Sequence, residues 1–324
     1  MSLKLSICIP TYNRAGFLAQ TLENVIAQAT SEVEIVVSDN ASSDNTEEVV
    51  RSFQLRFPRL TYFRQSENRG FDRNCLNAAT RGQGEYCWLF GDDDLMMDGA
   101  IPLLITKYLS IPPNSSAALP EFIQLSVEAW DFTMTKPLGR SAGELGVCED
   151  VYTSDVLTYF ADFFRESYLS GFVVRHASWV TVDAEKYVGT GLSYQAAVYE
   201  YLQIDSPVVF VASPLLKYRS GNPSWSDILL DFMIRDVRYV LDTLPTRYDP
   251  VKAAALRGFE ERLPVTLMLL ARLRADGHYD LARYRKYMCD YFATRPIHRT
   301  CAFLLAVTPP GFLKGLQTLH KKRI

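Results

Sequence analysis

The chain is 324 residues long, 48% hydrophobic and 22% charged, the balance of a folded body with a substantial core in one large or two modest domains rather than of a disordered or fibrous chain. Its formal net charge of −3 gives no overall attraction to polyanions, which sets nucleic acid aside as a partner. The six cysteines (Cys8, Cys75, Cys87, Cys148, Cys289, Cys301) form no Cys-x-x-Cys pair and read as reduced thiols, and the opening MSLKLSICIPTYNR lacks the apolar core of a signal peptide, so a cytoplasmic location is expected.

LSICIP (5–10) is a short apolar run ended by proline, and AGFLAQTLENVIAQA sets Leu18, Leu22, Val25 and Ala29 on one helical face, which together predict a β-α unit. VEIVVSD (33–39) is a second strand; the helix after it is predicted to start near Thr46, with Asp44 and Glu47 in a capping-box pattern. LTYFRQ (60–65) predicts a third strand, DRNCLNAATR a helix and EYCWLFG (85–91) a fourth strand. This alternation predicts an α/β fold with a mainly parallel central sheet and flanking helices. A Pro/Ser-rich loop begins near 111, and a mixed segment with SDVLTYFADFFRE as helix and GFVVR (171–175) as strand runs to about 225. Beyond it Leu230, Met233, Val237, Val240 and Leu241 form a helical stripe, followed by helices expected near 251–274 and 279–293. Three parts are therefore expected: 1–110, 111–225, and a C-terminal helical subdomain over 226–324. Its last stretch, PPGFLKGLQTLHKKRI, has the apolar spacing and basic residues of a helix lying on a membrane surface, and equally those of a solvated terminal helix.

Ligands of such sheets bind outside the carboxyl ends of the strands. PTYNR follows the first strand, Asp39 and Asn40 end the second, and Asp92, Asp93 and Asp94 follow the fourth, so all three groups are expected on one rim. Adjacent carboxylates repel, and a divalent cation relieves that repulsion. Hard oxygen ligands suit Mn²⁺ or Mg²⁺, ions that join one or two carboxylates to a substrate's phosphates. The plainer reading has the aspartates capping a helix near Asp98 or facing solvent.

CIPTYNR, VVSDNASSDNT, NRGFDRN at 68–74 and GEYCWLFGDDD, in this order, resemble the family 2 glycosyltransferases of GT-A fold. The resemblance is strong over about residues 3–110, weak in the middle and faint in the last hundred. The GDDD form and KYRSGNPSWS are similar to deoxysugar transferases of bacterial O-antigen or capsule assembly, the abequosyltransferase type. What it implies is a metal-dependent transfer, with inversion, from a nucleotide-diphosphate sugar donor to a glycan or lipid-linked glycan acceptor at the inner face of the membrane; the residues of the C-terminal basic helix, apart from the resemblance, suit a peripheral membrane contact there. Residues 1–110 would then be the nucleotide-sugar half and 111–225 the acceptor half.

The resemblance also implies individual roles. Pro10, Thr11, Tyr12 and Arg14 would lie against the nucleoside, their alternative being a strand-to-helix turn with Asn13 as cap. Asp39 would accept from the base edge. Asn68, Gly70 and Arg73 would hold the base or diphosphate, with a surface ion pair as the alternative for Arg73. Asn74 reads as a packing or helix-surface residue. The family pattern Asp-x-Asp-Asp, aligned on the last aspartate, puts Gly91 where the first carboxylate normally stands. Asp93 and Asp94 then become the metal-side residues and Asp92 faces the ribose or donor sugar. Arg219 and Trp225 belong to a stretch resembling a loop that closes over the donor, or to a plain linker. The family's Glu-Asp pair is missing from YVGTGLSYQAAVYEYLQID, leaving Glu200 and Glu166 as candidates for the general base, with Asp183 a further carboxylate. A nucleotidyltransferase would show a glycine in the first loop, which PTYNR lacks, and an impaired sugar-nucleotide-binding protein is the non-catalytic alternative.

Overall fold

The computed structural model of the chain describes residues 3–110, 118–221, 228–262 and 264–321, with backbone only for 142 and 316–321. The chain divides into two compact units, residues 1–222 with 239–256 and residues 223–238 with 257–324. Trp225 and the rest of 222–227 lie outside the described residues.

The first unit begins with strictly alternating strands and helices: β1 (Leu5–Thr11), α1 (Ala15–Ile26), β2 (Val33–Asp39), α2 (Thr46–Gln54), β3 (Leu60–Arg64), α3 (Phe71–Thr80) and β4 (Tyr86–Leu89). There follow β5 (Leu95–Met96), α4 (Ala100–Leu103), β6 (Phe122–Trp130), β7 (Pro137–Arg140), α5 (Ser141–Leu145), β8 (Val151–Thr153), α6 (Val156–Phe163), β9 (Phe172–Arg175), α7 (His176–Trp179), α8 (Ser193–Tyr201) and β10 (Val208–Arg219). The sheet runs β3-β2-β1-β4-β9-β6-β10-β5, with β7 paired to β6 and β8 to β10. Strands β1 to β4 run parallel to one another, and β6 runs parallel to β10. Strand β9 lies antiparallel between β4 and β6. The result is an α/β architecture, parallel across β3-β2-β1-β4 and mixed beyond.

Every residue of β1 and β2 is buried, which is why both read as near-continuous apolar runs: helices cover both faces of a parallel sheet. Leu18, Leu22 and Val25 of α1 are fully buried against that core, as their spacing predicts.

Two local expectations change. Asp44 accepts the N–H of Thr46 at 3.1 Å and, with its other oxygen, the N–H of Ala15 at 3.0 Å, so one carboxylate serves the starts of α2 and α1. Glu47 turns away to Arg51 at 2.9 Å, and no capping box closes. The single helix expected over 251–274 is two, Asp249–Arg262 and Leu267–Asp276. Pro264 lies between them, and a proline disfavours helix in the residue before it. The second unit continues with Pro296–Val307 and Pro310–Lys321.

Candidate active site

The site is built from the carboxyl ends of β1, β2 and β4. At the end of β4 the chain passes through Gly91, whose N–H donates to Ser170 Oγ at 2.8 Å. A Cβ on Gly91 would stand 3.1 Å from Asp94 Oδ2 and 3.2 Å from Ser170 Oγ, tighter than nine in ten real Cβ contacts. A side chain at the position of the family pattern's first carboxylate would therefore press on Asp94 and Ser170.

Each aspartate of the triplet is held differently. Asp92 accepts from Thr11 Oγ1 at 2.7 Å and from Arg14 Nη1 at 2.7 Å, and is buried. Asp93 is the more open one, 3.3 Å from Arg14 Nη2. Asp94 is buried, with Oδ2 accepting from Ser170 Oγ at 2.5 Å and Oδ1 from the Arg219 N–H at 3.0 Å. The backbone of the triplet is fixed from α1, where Thr21 Oγ1 is shared between the carbonyls of Asp92 (3.0 Å) and Asp94 (2.9 Å). Asn24, one turn on, receives the Met96 N–H at 2.6 Å.

Burial pushes the Asp92 carboxyl up to about 6, Asp93's charge adding to the shift and Arg14 opposing it. Burial pushes Asp94 up to about 7, again with Asp93 adding, while Ser170 and the Arg219 N–H oppose. The triplet is therefore short of positive charge. Among the described residues no group of three or more His, Cys, Asp or Glu side chains forms a cage for a metal ion. An ion here would be held by one or two carboxylates, the coordination Mg²⁺ and Mn²⁺ accept when phosphate and water complete the shell. The donor set fits: carboxylate oxygens alone, with one hydrogen-bond donor on each oxygen of Asp94 and a second lone pair left.

On the β1–β2 side, Pro10 is buried beside Ser38 and Thr11 pairs in register with Asp39, while Tyr12 is half-exposed. Asn13 takes a left-handed backbone (φ 53°), and its side chain accepts the Ser43 N–H at 2.7 Å; it ties two loops together rather than capping α1. Asp39 is fully buried: Oδ1 accepts from Ser42 N at 2.9 Å and Oδ2 from the Tyr62 hydroxyl at 2.6 Å. Arg64 Nε stands 3.6 Å from the same Oδ2. Asn40 donates to Asn68 Oδ1 at 2.8 Å and to the Gly70 carbonyl at 3.2 Å, so Asn68 and Gly70 are anchored to the end of β2. Gly70 has φ 87°, the left-handed turn into α3 that favours glycine. Arg73 pairs with the exposed Glu185, the ion-pair alternative. Asn74 is buried and links four groups. Its amide donates to the carbonyls of Thr11 (3.2 Å) and Ser38 (3.0 Å) and accepts from Ser38 Oγ (2.8 Å) and Gln65 Nε2 (2.8 Å).

From the other half, Arg219 ends β10 with its fork turned inward, to the carbonyls of Asp93 (2.8 Å) and Phe132 (2.6 Å) and to Gln20 Oε1 (3.1 Å). It stabilises the rim rather than facing solvent. Glu200 lies in the last turn of α8, bound to the Tyr187 hydroxyl at 2.5 Å and Lys186 at 2.8 Å. Glu166 is buried, and its segment leads to Ser170. Asp72, which the sequence did not single out, is buried and accepts the N–H groups of Gly189 (2.7 Å), Gly191 (3.0 Å) and Ser193 (3.2 Å), joining α3 to the start of α8.

The family model for glycosyl transferase family 2 matches residues 6–175, which contain all three strand ends of this rim. The chain belongs to glycosyl transferase family 2. Among curated relatives, abequosyltransferase RfbV of Salmonella typhimurium is 30% identical over 253 residues, 71% of this chain and 72% of that protein. The GalNAc(5)-diNAcBac-PP-undecaprenol beta-1,3-glucosyltransferase of Campylobacter jejuni is 35% identical over 105 residues, 32% of this chain and 34% of that one. Among solved structures, S. aureus TarS 1-349 in complex with UDP-GlcNAc aligns with TM-score 0.57 at 13% identity, covering 84% of this chain and 81% of TarS. The mannosyltransferase PcManGT from Pyrobaculum calidifontis, in complex with GDP-Man and Mn²⁺, aligns with TM-score 0.50 at 18% identity over 99% of this chain and 88% of its own. The protein is a glycosyltransferase of GT-A fold.

Proposed function

We propose that this glycosyltransferase takes a sugar from a nucleotide-diphosphate donor, with a divalent ion, Mn²⁺ or Mg²⁺, held at Asp93 and Asp94, and transfers it with inversion to a glycan or lipid-linked glycan in bacterial O-antigen or capsule assembly. The observation that carries the reading is the acidic rim itself: three adjacent aspartates following β4 at the carboxyl end of the parallel strands, two of them buried and incompletely compensated by positive charge. The donors held by TarS and PcManGT, and the Mn²⁺ of the latter, support it.

In this reading residues 1–110 bind the donor and 111–225 the acceptor, with 226–324 helical and its stretch 239–256 belonging to the first compact unit. Thr11 and Arg14 hold Asp92 toward the ribose or sugar, and Pro10 and Tyr12 flank the nucleoside. Asp39 meets the base, while Asn68, Gly70 and Arg73 shape the entrance to α3. Ser170 and Arg219 hold Asp94 in place. When bound, the ion would offset the charge that develops on the departing diphosphate. A carboxylate must take the acceptor's proton. Glu166 and Glu200 are the two candidates, and the pH–rate profiles of Glu166→Gln and Glu200→Gln decide between them. The chain works at the inner face of the membrane, where a lipid-linked acceptor is presented.

The test is a melting-temperature panel with UDP, CDP, GDP and dTDP, with and without Mn²⁺, followed by turnover of the stabilising donor. A ligand at 100 times its Kd stabilises by about 2.7 kcal/mol. Metal-dependent stabilisation that Asp94→Ala abolishes, with slow release of nucleoside diphosphate, supports the reading. Release of pyrophosphate, no turnover with any donor, or an unchanged shift in Asp94→Ala overturns it.

A further inference from the structure

The charge of the chain is unevenly placed. Residues 291–324 carry Arg295, Arg299, Lys314, Lys321, Lys322 and Arg323 and no Asp or Glu, so the net −3 splits into +6 for this segment and −9 for the remainder. The helix Pro296–Val307 lies within it. Ala302 and Ala306 form its buried side, at 0% and 2% exposure. At 3.6 residues per turn, Ile297, Phe303, Leu304 and Val307 fall in an arc of about 120° on the opposite side. All four are open to solvent, at 76%, 40%, 55% and 46% exposure. Phe312, in the helix that follows, is 63% exposed beside the exposed Lys314. A soluble surface normally scatters such residues singly, whereas here they follow one helix face, with Arg295 at the start of the helix and Lys314 beside Phe312.

We infer that this face docks on an anionic lipid surface, with Ile297, Phe303, Leu304 and Val307 entering the headgroup boundary and Arg295, at the start of the helix, and Lys314 meeting lipid phosphates. The charge selects this occupant. Two copies packed face to face would bring two strongly cationic segments together, which repels, whereas anionic lipid draws each basic residue inward. No described helix is long and apolar enough to cross a membrane, so the contact lies on the surface. The contact expected from sequence began at Pro309; the structure adds the preceding helix as its apolar face.

The inference gives the proposed placement at the membrane a physical surface, and rests on that placement for its use, but its test needs neither donor nor acceptor. The full chain is sedimented with vesicles of phosphatidylcholine alone and with a quarter phosphatidylglycerol. Binding is expected with the anionic vesicles only, and should weaken at high salt. Loss of one cation near the surface is worth about fivefold in partitioning, so Arg295→Gln with Lys314→Gln should weaken it roughly 25-fold. Leu304→Glu with Val307→Glu should abolish it; because both side chains are about half open to solvent, and the ring contact of Phe303 with Tyr284 is kept, the melting temperature should hold, which shows that the fold is intact. Equal binding by the variants, no binding to anionic vesicles, or a dimer in light scattering that L304E/V307E dissolves would overturn the inference.

Discussion

Ser170 and Asp94 are 76 residues apart in sequence and share a 2.5 Å hydrogen bond, the serine hydroxyl donating to the carboxylate while accepting the N–H of Gly91. One side chain therefore sets both the entry to the aspartate triplet and the orientation of its last member. Ser170→Ala removes both contacts. Partners that orient a metal-binding carboxylate are typically worth 10–100-fold in affinity, so titration of the variant with Mn²⁺ in the presence of donor should show a weakening of about that size. An unchanged Mn²⁺ affinity would show that Asp94 is held well enough by Arg219 alone.

Asp94→Asn should separate stability from function. The amide can accept from the Arg219 N–H and donate to Ser170, so the hydrogen bonds survive without the charge. Asp92 and Asp94 titrate near 6 and 7 in the folded protein against an ordinary 3.8. Between those values the folded state binds more protons than the unfolded one, so stability is greatest at low pH and is lost as pH rises from about 4 to about 7. The wild-type melting temperature in EDTA, minus that of Asp94→Asn, should decline across this window, leaving the variant more stable at neutral pH and unable to turn over donor. A difference that is flat with pH refutes the charge argument.

Gly91→Asp would install the carboxylate that the family pattern has there. It would also force a Cβ to 3.1 Å from Asp94 Oδ2 and 3.2 Å from Ser170 Oγ. The expected outcome is loss of the Mn²⁺-dependent rise in melting temperature and of transfer. Retained activity would mean that Ser170 and Asp94 move aside freely.

Asp72→Ala leaves three backbone N–H groups leading into α8, those of Gly191 and Ser193 buried, without their acceptor. Urea unfolding should show a loss of about 1–3 kcal/mol. Asp72→Asn, with one acceptor oxygen remaining, should fall between. A loss below about 0.5 kcal/mol for Ala, the range of ordinary surface substitutions, would show that the carboxylate does not anchor this turn.

The rim was legible because its determinants are local. Val/Ile-rich runs each ending in a polar group mark β1, β2 and β4, and a parallel sheet brings such ends together. What holds the rim was not legible, because those contacts join distant segments. Thr21 and Asn24 look like the polar edge of an amphipathic helix until β4 and β5 lie beside them. Ser170 carries no motif. Arg219 reads as a phosphate ligand from its type alone, and only the packing of β10 beside β6 turns its fork toward Phe132 and Asp93. The expected capping box failed for the same reason: through space, Asp44 found the start of α1.

Asn74 has every valence of its amide filled, two carbonyls on the nitrogen and two donors on the oxygen, and the partners span the ends of both β1 and β2. A flipped amide would set donor against donor, and replacing one nitrogen with oxygen would aim a negative charge at two carbonyls. Grafting the three aspartates onto another parallel sheet would therefore not reproduce this rim. The spacing of its strand ends is written into an asparagine on α3, and a transplant that omitted it would carry the charges without their scaffold.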